Sequence, residues 1–167
     1  MRFLLFPMSL LSLLLTGAIF GFFFAWVCST MWGLDQIDPN VAIEAMQAMN
    51  TSVRNAVFAP AFFGTPVALL LTTVIAWKFG AKRSAIWFGL AGVVYFAGGL
   101  ILTMQINVPM NETLGALSTP LAPEEAKRIW SDYSSVWQLW NQARTVASGV
   151  ALAGVGLGLA ALPHRRA

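Results

Sequence analysis

The segment Trp130-Ser-Asp-Tyr-Ser-Ser-Val-Trp-Gln-Leu-Trp-Asn-Gln-Ala-Arg144 runs without proline or glycine into a hydrophobic stretch at about 145–162. At about 100° per residue it sets Trp130, Tyr133, Trp137, Trp140, Asn141 and Arg144 in one sector roughly 100° wide, with Arg128, Asp132, Ser135 and Gln142 on the other side. The spacing predicts a helix that carries aromatic rings, an amide and a guanidinium on the face it should bury, and whose chain continues into a membrane span. Polar groups on such a face are costly unless they are paired or used, which makes this face the first candidate for function.

The rest of the chain has the composition of a membrane protein. It is 57% hydrophobic and 10% charged, against about 25% charged in soluble domains. Four apolar stretches, about 9–31, 59–77, 84–105 and 145–162, are long enough to span. The expected fold is all-α: a single membrane domain over 1–167, an integral membrane four-helix bundle with loops 32–58 and 106–144 on one side. Gly17 with Gly21, and Gly154 with Gly158, have the small-xxx-small spacing that lets helices approach closely. Both long loops should carry amphipathic helices. In the first, Asp38 is placed to cap and Pro39 to open a helix whose stripe is Ala42, Met46, Met49, Val53 and Val57, suited to lying across or against the membrane surface. In the second, Glu124 and Glu125 suit a helix start, and Pro109 is expected to end the regular helix of span three.

Charge sets the expected orientation. Arg2, Lys78, Lys82, Arg83, Arg165 and Arg166 lie on the side of the termini, with no acid among them. All seven acids lie on the other side against four basic residues, Arg54, Lys127, Arg128 and Arg144. The positive-inside rule then places both termini in the cytoplasm at the cell membrane and the long loops outside. Scattered basic residues without interleaved exposed aromatics argue against nucleic acid. Cys28 is alone and His164, the one histidine, sits in the tail, so no ligand set for a structural zinc or haem is read from the sequence, and no cofactor or metal is expected.

Three pairs bring polar side chains to the outer border of the spans: Asn50 with Arg54, Asn107 with Asn111, and Asn141 with Arg144. They would surround one pocket walled by Trp130, Trp137, Trp140 and Met46, suited to a flat organic phenolate, enolate or carboxylate. The same residue types also gather at bilayer interfaces and close helix ends, so spacing alone leaves both readings open.

Several motifs resemble, in order, the anthrone oxygenase-like family of small four-helix membrane proteins. They are Gly21-Phe-Phe-Phe-Ala-Trp26, Ala45-Met-Gln-Ala-Met-Asn50, Asn107-Val-Pro-Met-Asn111 and Trp137-Gln-Leu-Trp-Asn-Gln-Ala-Arg144. The resemblance implies oxidation of an anthrone to an anthraquinone by molecular oxygen, without metal or flavin. On that basis Arg144, Asn141 and Asn107 are the expected catalytic residues, stabilising an enolate. Asn111, Asn50 and Trp137 from the motifs, with Arg54, Trp140 and Trp130 from the spacing, would bind the substrate, and Asp35, Glu112 or the substrate's own acidity would supply the base. The alternative is a non-catalytic accessory subunit or a lipophile-binding protein, whose partner is a lipid or another membrane protein and whose polar pairs serve as interhelical glue.

Overall fold

The computed structural model describes residues 4–163, all of whose regular elements are helical. Arg2, His164, Arg165 and Arg166, used above for orientation and ligand arguments, lie outside these residues. Five helices follow one another: α1 Leu5–Leu34, α2 Pro39–Ser52, α3 Phe58–Lys78, α4 Lys82–Gly115 and α5 Pro123–Ala160. All but α2 are long and apolar enough to cross a membrane. They form a ring in which α1 touches α3 and α5, and α4 touches the same two. Ile19, Phe23, Phe62, Leu69, Phe88, Tyr95 and Val155 fill the middle. The outside is also apolar, with Phe6, Leu70, Val93 and Val146 all more than half exposed. In hydrocarbon such an exterior gives no drive to association, so packing and interhelical hydrogen bonds must hold the ring.

Proline chemistry supplies one such bond. Pro66 sits inside α3 and cannot donate to the carbonyl of Phe62. Tyr95 of α4 donates its hydroxyl to that oxygen at 2.9 Å, satisfying an acceptor that a bilayer would leave unpaired. Ser12 of α1 and Thr72 of α3 share a second buried bond of 2.9 Å.

Two expectations change here. Pro109 does not end the third span, because α4 makes π-helical turns at Tyr95–Ile101 and Thr103–Asn107 and then continues as Val108–Gly115. Val108 N–H already bonds Thr103 O, five residues back, so the ladder has changed register where the proline would break it. The second change concerns α2. Asp38 caps it as expected, accepting from Asn40 and Val41 N–H at 2.9 and 3.3 Å. Its buried residues, Ala42, Ile43 and Met46, pack with Met31, Leu114, Ala126 and Trp130 in a second core rather than facing a lipid surface, and the helix ends before Val57, which is 84% exposed. Asn40 exchanges bonds with Leu121, and Gln47 donates to the Leu114 and Leu117 carbonyls. The aromatic segment and the last apolar stretch are one helix of 38 residues, about 57 Å long and thus longer than a hydrocarbon layer.

The two glycine pairs have different roles. A Cβ on Gly154 would lie 3.2 Å from Ala91 Cβ, and one on Gly158 2.9 Å from Phe88, so α4 and α5 meet there. Gly98 is tighter still, its Cβ position only 2.5 Å from Ala147 Cβ. Gly21 faces open space and Gly17 makes only ordinary contact. Gly98→Ala and Gly158→Ala should therefore each cost about 1–3 kcal/mol by overpacking, lowering the thermal midpoint in detergent, whereas Gly21→Ala should leave it unchanged or higher. Equal midpoints for all three variants would contradict the close α4–α5 approach.

Candidate functional site

A cavity of 670 Å³ opens at the end of the ring opposite the Phe79–Ala81 turn. All five helices build it. The end of α1 gives Phe22, Phe23 and Trp26; α2 and the turn after it give Met49, Asn50 and Arg54. From α3 come Phe58 and Phe62, from α4 Thr103, Asn111 and Glu112, and from α5 Trp137 and Arg144. The wall is mostly apolar and rich in aromatic rings, with a few fixed polar groups, as small-molecule sites usually are.

Arg144 is the charged group set deepest in it, 5% exposed. Its Nε donates to Asn141 Oδ1 at 2.9 Å and its Nη1 to Thr103 Oγ1 at 3.4 Å. The guanidinium lies 4.4 Å from the Phe23 ring centre and 4.9 Å from that of Trp137, cation–π contacts each worth about 0.5–2 kcal/mol. Among the described residues no carboxylate oxygen comes within 4.0 Å of it. Two of its five N–H donors are used by the protein, and the residue lines the cavity. Asn141 fixes the whole arrangement to α1 by donating Nδ2 to the Phe23 carbonyl at 3.1 Å, beside the π turn Trp26–Thr30 where the α1 ladder shifts.

Asn111 is the second anchor. Its Oδ1 accepts from Tyr133 Oη at 2.8 Å and from Trp137 Nε1 at 2.9 Å, so one amide oxygen orients both rings. Asn50 reaches the wall with a buried Nδ2 that has no partner. Arg54 and Glu112 form an exposed ion pair of 3.3 Å on the rim, worth little by itself. Among the described residues no three His, Cys, Asp or Glu side chains come together.

Of the residues singled out from the sequence, Asn50, Arg54, Asn111, Trp137 and Arg144 line the cavity, and Asn141, Asn107, Trp130, Trp140 and Met46 do not. Asn141 spends its amide on Arg144 and Phe23. Asn107 is fully buried behind the wall, with neither side-chain polar atom partnered. Trp130 is seven residues before Trp137, about 10 Å along the helix, and its indole donates to Asp35 at 3.0 Å. Trp140 is turned about 60° from Trp137 and stays half-buried. Met46 lies in the second core, and Met49 takes its place at the wall. Asp35 is not at the cavity either: its carboxylate also accepts from Ser134 and Gln138, tying the end of α1 to α5. Thr103 and the rings Phe22, Phe23, Phe58 and Phe62 were missing from the expected site. Thr103 stands in the same i, i+4, i+8 row as Asn107 and Asn111, which was the available signal.

A sequence model described as anthrone oxygenase matches residues 52–154, more than half of the chain. No curated protein and no solved structure matches it. The matched region holds α3, α4 and most of α5, and so most of the cavity wall, but it begins after Asn50 and the α1 aromatics.

Replacing Asn111 by Ala would leave the Tyr133 hydroxyl and the Trp137 indole N–H without their shared acceptor, a loss of about 1–3 kcal/mol for each buried donor. Asn111→Ala should lower the unfolding midpoint and red-shift or broaden the emission of Trp137. A variant as stable as the parent would mean that the two donors find other acceptors.

Proposed function

The chain belongs to the anthrone oxygenase family, and from that premise we propose that it is a multi-pass membrane oxygenase acting without a cofactor on an aromatic, anthrone-like substrate. We place both termini in the cytoplasm and the cavity toward the outer face, following the charge asymmetry of the sequence. The observation that carries the reading is Arg144: a buried guanidinium with no carboxylate partner, directed by Asn141 and Thr103 onto an aromatic-walled cavity.

An anthrone bears its acidic CH₂ opposite a ring carbonyl. Loss of one proton puts negative charge on that oxygen and makes the carbon electron-rich enough to react with oxygen. In this reading Arg144 holds the oxyanion, each well-placed donor contributing about 3 kcal/mol in a site that excludes water. The flat ring system lies against the rings of Trp26, Phe58 and Phe63 on the cavity wall, and the Asn50 amide donates to a second oxygen. Glu112, on the same wall, is the carboxylate available to receive the proton. The CH₂ carbon gains one oxygen atom and loses two hydrogens; the four electrons reduce O₂, whose other atom leaves as water. Asn141 is a positioning residue and Asn107 supports the wall from behind.

Oxygen uptake by the detergent-solubilised protein with emodin anthrone tests this. Arg144→Ala should lower turnover by about 10²-fold or more, with Arg144→Lys intermediate because its single ammonium lacks the planar fork. Full uptake by folded Arg144→Ala would refute the role. No uptake above background by the folded parent would favour the rival reading, a lipophile-binding or accessory membrane protein.

A further inference from the structure

We propose that the substrate reaches the Arg144 cavity sideways from the bilayer, as a neutral membrane-dissolved aromatic, through an apolar groove between α1 and α3. The proposal rests on the reading of the cavity as the substrate site. The groove has a volume of 460 Å³ and is lined by Ala18 and Ile19 of α1 and Ala61 of α3, and is closed at its outer end by Ser52 and Val57 at the end of α2 and the turn after it. It shares Phe22, Trp26, Met49, Val53, Asn55 and Phe58 with the cavity.

Of these shared residues, Phe22 and Phe58 are the pair in ring contact between α1 and α3. Their ring centres are 4.8 Å apart at an interplanar angle of 49°, and both rings are only half-buried. Neither side chain makes a polar bond that rotation would break, so their turning aside joins the groove to the cavity on the time scale of side-chain motion. The groove begins at Ala18, mid-way along a helix apolar enough to span, and Ala18 is exposed. The Ala18 end of the groove therefore faces hydrocarbon once the helices are in a bilayer, and its other end reaches the turn after α2. The other approach, over the rim, passes the exposed Arg54–Glu112 pair.

Chemistry then selects the form that enters. An ionised phenolate or enolate dissolves poorly in hydrocarbon, whereas its neutral conjugate acid does so readily. Inside, the unpaired guanidinium of Arg144 favours the anion. The path admits the neutral molecule and the site ionises it, so the substrate class is a lipophilic weak acid rather than a charged, water-soluble aromatic.

The test follows 1,8-dihydroxyanthrone binding under nitrogen, so that no turnover occurs. The protein is held in lipid nanodiscs, and stopped-flow quenching of tryptophan emission reports arrival, since Trp26 and Trp137 line the cavity. Ala18 and Ala61 line the groove and not the cavity, so Ala18→Phe and Ala61→Phe fill the groove at residues outside the cavity wall. Each should slow association and dissociation together by about tenfold, with the equilibrium Kd within about twofold of the parent. Val93→Phe, on an exposed apolar position of α4, controls for added bulk and should leave both rates unchanged. Quenching that depends on Arg144 but proceeds at parental rate in both groove variants would overturn the route and leave the cavity reading standing. Absence of quenching in the folded parent would overturn both.

Discussion

A buried guanidinium without a counter-ion constrains everything around it. Isolated in hydrocarbon, the charge of Arg144 would be prohibitive, so its environment must replace the lost water. Three helices contribute. Asn141 of the same helix accepts from Nε and binds the Phe23 carbonyl of α1; Thr103 of α4 accepts from Nη1; and the rings of Phe23 and Trp137 present their faces. Removing any one of them disturbs both the charge and a helix–helix contact. The position of the charge and the rotation of α1, α4 and α5 about their axes are therefore one problem, solved once.

Those polar contacts cluster where the helical ladders are irregular. Asn141 meets α1 beside its π turn, Thr103 begins the second π segment of α4, and Tyr95, which begins the first, bonds the carbonyl that Pro66 leaves open in α3. In a bilayer a displaced carbonyl has no water to turn to, so each irregularity needs a side chain from another helix. Proline and π turns thus specify which helices must touch and at what height. A ring of helices with apolar surfaces inside and out would otherwise have little to fix its register.

How much of this the sequence carried depends on whether the signal was local. The four spans follow from runs of apolar residues, the Asp38 cap from a two-residue signature, and the buried sector of α5 from its period. What failed was pairwise. The spacing put Trp130, Trp137 and Trp140 on one sector but held no measure of how far along the axis, or at what edge, the cavity would lie. Asp35 read as a candidate base because an acid near an aromatic segment looks the same whether it faces a ligand or ties down Trp130 and Ser134. Pro109 read as a stop because the π turn that accommodates it has no local sequence code. The spaced pairs did not settle shared faces: Arg54 falls in the turn after α2 ends at Ser52, and only the packed helices decide that Asn111 meets the cavity while Asn107 does not.

The cavity itself follows from the existence of two cores rather than one. Phe23 and Phe62 belong to the cluster that fills the ring of long helices, whereas Trp137 belongs to the cluster that α2 closes over the far end of α5, with Met49 packed against it. A single core would collapse onto so large a void, because packed interiors tolerate little empty volume. Here each wall is held by its own cluster. The helices that join them are fixed at both heights, by Pro66 and the Gly98–Ala147 contact below and by Asp35, Asn40 and Gln47 above. The space between is kept open by elements that cannot approach further without unpacking one core, and Arg144 stands at that seam, its guanidinium against Phe23 of one cluster and Trp137 of the other.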